Sequence, residues 1–265
     1  MNPWHWQTWQ TLPYLTCILL EDFPHGFFTQ QFWAYLPAEL GQVLHPEAQV
    51  YRVKQVHGNV VLSPSELKKS SSQDEASPLS EADGLVTEQG NQAIWVCSAD
   101  CTPVLIADLV TGAVAAVHAG WRGTAAKIVP RAIARLVTQG SQLSNLRIAM
   151  GPAIAGEVYQ VSTAVAAQVT ASLLPIEGLT EGLDSEAILI AIKQVPQSPI
   201  LSDPQPGRVR LDVRRVNALQ LEQLGIRAEQ VAIAPYCTYQ TPEHFFSYRR
   251  DRQKKVQWSG IVSQN

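Results

Sequence analysis

The chain has 265 residues, 46% of them hydrophobic and 16% charged, enough to bury a substantial core in one large domain or two small ones. A formal charge of −3 and a pI near 6.1 argue against a general nucleic-acid binder, which needs a basic surface. No apolar run approaches the ~20 residues of a membrane span. The amino terminus has no Lys or Arg before the run Leu12–Leu20, which Pro13 interrupts, so it does not read as a secretory signal. The expectation is a soluble, cytoplasmic protein. Four cysteines, Cys17, Cys97, Cys101 and Cys237, are too few for a disulfide scaffold and form no Cys-x-x-Cys pair.

In chain order, Leu12–Leu20 reads as a strand and Phe27-Phe28 as the start of another, followed by a short helix within Trp33–Leu44 that Pro37 and Gly41 limit. Val50–Val56 is β-rich and ends at the turn signal His57-Gly58, and Val60–Leu62 resumes extended structure. Residues 68–82 are mostly Ser, Asp, Glu and Lys with little to bury, which predicts a mobile loop. Leu85–Thr87 and Ala93–Cys97 are strands. Pro103–Ala107 and Ala113–Val117 form a hairpin about the turn Asp108-Leu-Val-Thr-Gly112.

The apolar period then changes to helical at Ile128, Val129, Ala132, Ile133, Leu136 and Val137. Thr124 is the expected N-cap and Gly140 the stop, while Pro130 either kinks the helix or moves its start. Leu146–Met150 reads as a buried strand, and Ser162 caps a helix reaching about Leu174. Residues 175–207, rich in Pro and Gly, read as an irregular excursion with a short helix at Ser185–Lys193. Val209–Leu211 is a strand, Asp212 caps a helix through Leu224, and Gly225 closes it. Val231–Ala234, Phe245–Tyr248 and Val256–Val262 complete the strands. With no repeat and no dividing linker, the expectation over 1–265 is a single α/β domain, with either one large mixed sheet or two sheets packed together.

Chemistry concentrates at the foot of the hairpin. Folding it about the middle of its turn sets Cys101 opposite His118, and directly opposed residues hold their Cβ atoms ~5 Å apart. A thiol and an imidazole at that distance can share a metal ion or a proton. His57, at the end of Gln55-Val-His-Gly58, adds a second imidazole. Two histidines and one cysteine leave a coordination position open, the pattern of catalytic rather than structural zinc. The turn Gly120-Trp121-Arg122-Gly123-Thr124 leads into a helix. Its amides and the Arg122 fork suit phosphate; alternatively, the glycines only permit a tight turn and Arg122 is solvated. Asp100 either orients a ligand histidine or caps its own loop. Asp83-Gly84 reads as a turn without chemistry, and Tyr248-Arg249-Arg250-Asp251 as a solvated ion-pair cluster. His5, His25, His45 and His244 read as structural.

Gln55-Val-His-Gly, Asp83-Gly-Leu-Val-Thr, Ala99-Asp-Cys-Thr-Pro, Val117-His-Ala-Gly-Trp-Arg-Gly-Thr, Gly151-Pro-Ala-Ile, Leu211-Asp-Val and Phe245-Phe-Ser-Tyr-Arg-Arg-Asp occur in that order. The series resembles the laccase-domain family of bacterial purine nucleoside phosphorylases, long labelled polyphenol oxidases, and it spans about His25 to Ile261. The resemblance implies an α/β (α+β) fold of mixed sheets sandwiched between helices, and a metal held by residues matching His57, Cys101 and His118, zinc or alternatively copper. It implies phosphorolysis of adenosine, guanosine, inosine and methylthioadenosine, together with adenosine deamination. Purine nucleoside and phosphate are then the partners, with Gln55 and Gly120–Thr124 beside them, and Cys101, His118, Arg122 and Asp100 are the candidate catalytic residues. Some members are linked instead to copper-dependent phenol oxidation or to hydrolytic editing of a peptidoglycan precursor, which would use Cys101 as nucleophile and His118 as base. The chain departs from the family's usual Arg and Gly-Gly turn at Gln30-Gln31, carries Ala153 and Val158 where many relatives have cysteines, and replaces a Gly-Arg tail by Arg252–Trp258.

Overall fold

A computed structural model of the chain describes residues 2–67, 79–174 and 184–264. Most of the loop expected at 68–82, and residues 175–183 of the expected excursion, lie outside the described residues. The strands in chain order are β1 (Trp4–Trp9), β2 (Leu12–Cys17), β3 (His25–Phe28), β4 (Gln49–Arg52), β5 (Val61–Leu62), β6 (Gly84–Val86), β7 (Gln92–Ser98), β8 (Thr102–Asp108), β9 (Val114–Ala119), β10 (Leu146–Met150), β11 (Gln160–Ser162), β12 (Ile200–Leu201), β13 (Arg208–Leu211), β14 (Val231–Ile233) and β15 (Gln257–Val262). The helices are α1 (Pro37–Leu44), α2 (Trp121–Ala125), α3 (Ile128–Thr138), α4 (Thr163–Thr170), α5 (Ser185–Lys193), α6 (Val213–Gln223) and α7 (Tyr248–Asp251).

Two six-stranded mixed sheets, β1-β2-β3-β15-β7-β4 and β14-β10-β8-β9-β6-β5, pack face to face. The period-two alternation of side chains builds the layers. Leu105 and Ala107 on β8 point between the sheets, where they meet Leu15, Phe27, Ile94 and Val96. Val104 and Ile106 point the other way, onto Ile128, Ala132 and Leu136 of α3 and Leu221 of α6. Outside the first sheet, Phe28, Trp95 and Trp258 pack with Leu40 of α1. Covered on both faces, β8 and β9 are buried at every position, which is why their sequences read as continuous apolar runs. A small sheet, β11-β13-β12, packs with α4, α5 and one face of α6 on the flank.

Several local expectations hold in detail. The Ser162 hydroxyl accepts the Val165 N–H, and the Asp212 carboxylate accepts the Arg215 N–H, at the starts of α4 and α6. Asp108 closes the hairpin turn by accepting the Val110 and Thr111 amides. The helix at Ser185–Lys193 is present, and with β12 it gives the described part of 175–207 more order than an irregular excursion.

Other expectations do not hold. Leu12–Leu20 is a strand only to Cys17, because Ile18–Leu20 turns in a 3-10 helix that buries Leu20. The strand expected over Val50–Val56 ends at Arg52, and Trp4–Trp9 is an edge strand that its mostly polar exposed face concealed. Thr124 caps nothing: it is buried within α2, and the chain then reverses through left-handed Lys127 (φ 57°) into α3. Pro130 therefore sits in the first turn of α3, where its missing N–H costs no bond. Phe245–Tyr248 is not a strand. Phe245 is buried among Trp6, Tyr236 and His244, and Ser247 caps α7 through the Arg250 N–H.

Gly260 on β15 lies flat against the indole of Trp95, so an added Cβ would sit 2.4 Å from the ring. Gly260→Ala is expected to destabilise the chain by about 1–3 kcal/mol, as overpacking does. Its denaturant midpoint should fall while the metal affinity of the folded protein is unchanged. An unshifted midpoint would refute the account.

Candidate active site

The hairpin register brings Cys101 and His118 together, though not as direct opposites. Pro103 pairs with His118 and Thr102 with Ala119, so Cys101 lies just beyond the end of the ladder, beside Gly120. The correction is two residues, because the Asp108–Gly112 turn closes as a loop with Ala107 opposite Val114. His57 arrives from the other side, on the turn after Val53–Val56. Its ring is edge-on to His118, with centroids 4.9 Å apart. One ligand atom from each of His57, Cys101 and His118 lies within 4.8 Å of the others. His57 is exposed, Cys101 half-buried and His118 buried, so the group opens to solvent on one side.

Asp83 holds this arrangement. Its Oδ1 lies 2.9 Å from His118 Nδ1, leaving Nε2 to face the group. The same carboxylate accepts the amides of Val56 (3.1 Å), His57 (2.9 Å) and Gly58 (2.7 Å). Three successive N–H groups curled around an anion need an unusual backbone, and His57 adopts a left-handed φ of 61°. One buried side chain thus orients two of the three side chains of the group. The sequence expectation of a turn without chemistry at Asp83-Gly84 is corrected here; the signal was a carboxylate inside one of the ordered motifs.

Burial opposes the Asp83 charge, but the His118 contact and the amide donors outweigh it and hold its pKa below the ordinary carboxylate value. Burial likewise pushes the Cys101 thiol up, yet the His118 charge and hydrogen bonds to His118 and His57 bring it down to about 6. Burial pushes the His118 imidazole down, but the Cys101 thiolate and then Asp83 raise it to about 9. Cys97 and Cys17 lack such partners, and burial pushes them up to about 12 and about 11. The two shifts run in the directions that favour a thiolate beside an imidazolium.

The remaining predicted residues separate. Gly120 abuts the His57–Cys101–His118 group: a Cβ there would meet Cys101 Sγ at 3.0 Å, His57 Cδ2 at 3.4 Å and His118 Cε1 at 3.6 Å. Trp121 lines a cleft with Cys101, Gly120, Tyr159 and Val213, and Arg122 stacks on Trp121 at 4.3 Å with its guanidinium exposed. Gly123 and Thr124 are buried, and Asn217 donates to the Thr124 hydroxyl, so neither presents a group to the cleft. Gln55 is absent from the cleft as well. Its amide pairs with both the N–H and the carbonyl of Cys97, continuing β7 as a strand neighbour would.

Asp100 does not orient a histidine. Its carboxylate accepts the Thr238 hydroxyl and the Arg249 N–H, each at 2.7 Å, and ties the Cys101 loop to the carboxy-terminal segment. Tyr159 and Arg249 were not among the expected site residues. Tyr159 forms a wall of the cleft, and Arg249 stacks on it at 4.8 Å.

The donor set fits a metal: two imidazoles and a thiolate with a lowered pKa suit zinc or copper, and Gly120 leaves the space the ligand atoms share. Residues 38–263 match the family described as multi-copper polyphenol oxidoreductase laccase. The chain belongs to this family. It is 49% identical over 261 residues to a Synechocystis protein named purine nucleoside phosphorylase, covering 98% of this chain and 97% of that one. A Mycobacterium tuberculosis protein of the same name is 32% identical over 206 residues, covering 78% and 69%. Among solved structures, YlmD from Geobacillus stearothermophilus superposes with a TM-score of 0.78 at 24% identity, over 98% of this chain and 99% of that one. The Bacillus licheniformis hypothetical protein YfiH gives 0.75 at 22%, over all of both chains. These two structures share the mixed-sheet fold of this chain.

Two outcomes test the site. Asp83→Asn is expected to weaken zinc binding by about 10–100-fold with the far-UV spectrum unchanged, as loss of a ligand-orienting carboxylate does; wild-type affinity would refute the role. In metal-stripped protein, the alkylation rate of Cys101 by iodoacetamide should rise with pH through about 6, since the thiolate forms there rather than near the ordinary value of 9.0. His118→Ala should move that midpoint upward. A midpoint near 9 in the unmutated chain would refute the thiolate–imidazolium pair.

Proposed function

We propose that this chain is a zinc-dependent purine nucleoside phosphorylase that also deaminates adenosine. The observation that carries the reading is the His57–Cys101–His118 group beside an aromatic-walled cleft, in a chain so similar to the Synechocystis phosphorylase. The proposed substrates are adenosine, guanosine, inosine and methylthioadenosine. In phosphorolysis, a phosphate oxygen bonds to the anomeric carbon of the ribose as the bond from that carbon to the purine nitrogen breaks. The purine leaves with the electron pair and takes up a proton, giving ribose 1-phosphate and free base. In deamination, water adds at the purine C6 and ammonia departs.

His57, Cys101 and His118 would hold the zinc, which when bound supplies Lewis acidity at the mouth of the cleft. Asp83 keeps the His118 proton on Nδ1, so that Nε2 serves as ligand. Trp121 lines the cleft, and Arg122, stacked on that indole, leaves its fork free for an anion. Gly120–Thr124 contributes Trp121 and Arg122 to substrate, while its glycines and Thr124 serve packing.

The copper-oxidase reading has less support. Among the described residues the trio is the one group of three such donors. His25 is committed to the Cys17 amide and the Phe23 carbonyl, and His244 packs on Trp6. A second reading is favoured by one observation: Cys101, His118 and Asp83 stand in the order nucleophile, base and orienting acid of a cysteine hydrolase.

Metal-quantified protein assayed on adenosine and inosine, with and without phosphate, separates the readings. Cys101→Ala and His118→Ala are each expected to lose zinc and turnover while remaining folded, and base release from inosine should require phosphate. Full activity after rigorous chelation would overturn the zinc reading in favour of the hydrolase.

A further inference from the structure

Arg249 and Arg250 are neighbours with different employment. The Arg250 guanidinium is saturated: it donates to the carbonyls of Thr238, Tyr239 and Phe245 and to both oxygens of Asp251. It staples α7 to the segment before it. Arg249 makes a single side-chain hydrogen bond, from Nη1 to the Gln160 carbonyl at 2.9 Å. No acceptor among the described residues takes its Nε–H or Nη2–H groups.

The backbone delivers this underused cation to the site. Asp100, in a left-handed conformation (φ 90°), immediately precedes Cys101 and accepts the Arg249 N–H. The Arg249 guanidinium then lies over the ring of Tyr159, which lines the cleft with Cys101. Stacking on an aromatic face and one carbonyl bond fix the plane of the fork. A guanidinium held this way keeps its remaining in-plane donors for a bidentate acceptor. A second cation, Arg122, stacks on Trp121, which lines the same cleft.

We infer that Arg249 grips the phosphate co-substrate, with Tyr159 as the platform that orients its fork. The inference rests on the phosphorylase reading but is tested apart from it. Neither residue stands out from sequence spacing, because Tyr159 and Arg249 are 90 positions apart and meet through the Asp100 tie and the Gln160 carbonyl.

The experiment titrates inorganic phosphate into zinc-loaded wild-type, Arg249→Gln and Arg249→Lys protein by calorimetry, with zinc content and far-UV spectra checked for each. Arg249→Gln is expected to weaken phosphate binding by at least about tenfold, the loss expected for charge-assisted bonds. Arg249→Lys, which keeps the charge but not the fork, should fall between. In turnover, Arg249→Gln should raise the KM for phosphate and leave the KM for inosine near its wild-type value. Phosphate binding by Arg249→Gln within twofold of wild type, or no phosphate binding by wild type, would overturn the inference. Arg249-dependent phosphate binding in a protein that cleaves nucleosides only with water would instead sink the phosphorylase reading and leave this one standing.

Discussion

The Asp83 carboxylate, buried and holding four polar partners, is the constraint on which the site depends. It fixes the His118 ring through Nδ1 and bends the 56–58 backbone around itself through three amides. An isolated buried carboxylate is costly; one surrounded by an imidazolium and three N–H donors is stable only in that surround. The strained turn at His57 and the charge on Asp83 are therefore mutually dependent. Each exists because the other does, and the two imidazoles are positioned as a result.

The sheet packing supplies the rigidity this arrangement needs. β8 and β9 are sealed between the intersheet core on one side and α3 and α6 on the other, so the ends of these strands are well fixed. Cys101 and His118 sit at those ends. Beyond them, a buried polar network of Thr124, Asn217, Gln220 and Ser172 locks α2 to its neighbours and so places Trp121 at the cleft with Arg122 stacked on it. On the opposite side the Asp100 carboxylate ties down the carboxy-terminal helix. The cleft is thus framed by three separate polar anchors, Asp83, Asp100 and the Thr124 network, each attached to a different part of the chain.

The electrostatics give one constellation two chemistries. In the metal-free chain a thiolate and an imidazolium stabilise each other, which is the resting state of a cysteine nucleophile. A cation held by the group would take that same thiolate as a ligand and remove it as a free nucleophile. A lowered thiol pKa therefore serves metal binding and nucleophilic attack equally well, and occupancy decides between them. The other cysteines, raised by burial, take part in neither.

Much of this molecule follows from local sequence. Alternation and apolar runs mark β8, β9 and β10, because strands covered on both faces must be apolar throughout. Ser162 and Asp212 announce their helices because a cap is a contact over three residues. The His57–Cys101–His118 group was also legible, since a hairpin brings Cys101 and His118 together and His57 ends a neighbouring β-rich run. Tertiary structure alone decided the rest. The register offset of two depended on how the Asp108–Gly112 loop closed, and the break at Lys127 on how α2 packs. Gln55, Thr124 and Asp100 have side chains fit for binding substrate, but folding spent them on Cys97, Asn217, Thr238 and the Arg249 backbone. Asp83 and Arg249 gained their importance from partners far away in the chain. Local sequence carries propensity and periodicity, which act over a few residues. What a polar side chain does is set by which donors and acceptors the fold leaves within hydrogen-bond reach, and that is fixed only when distant segments meet.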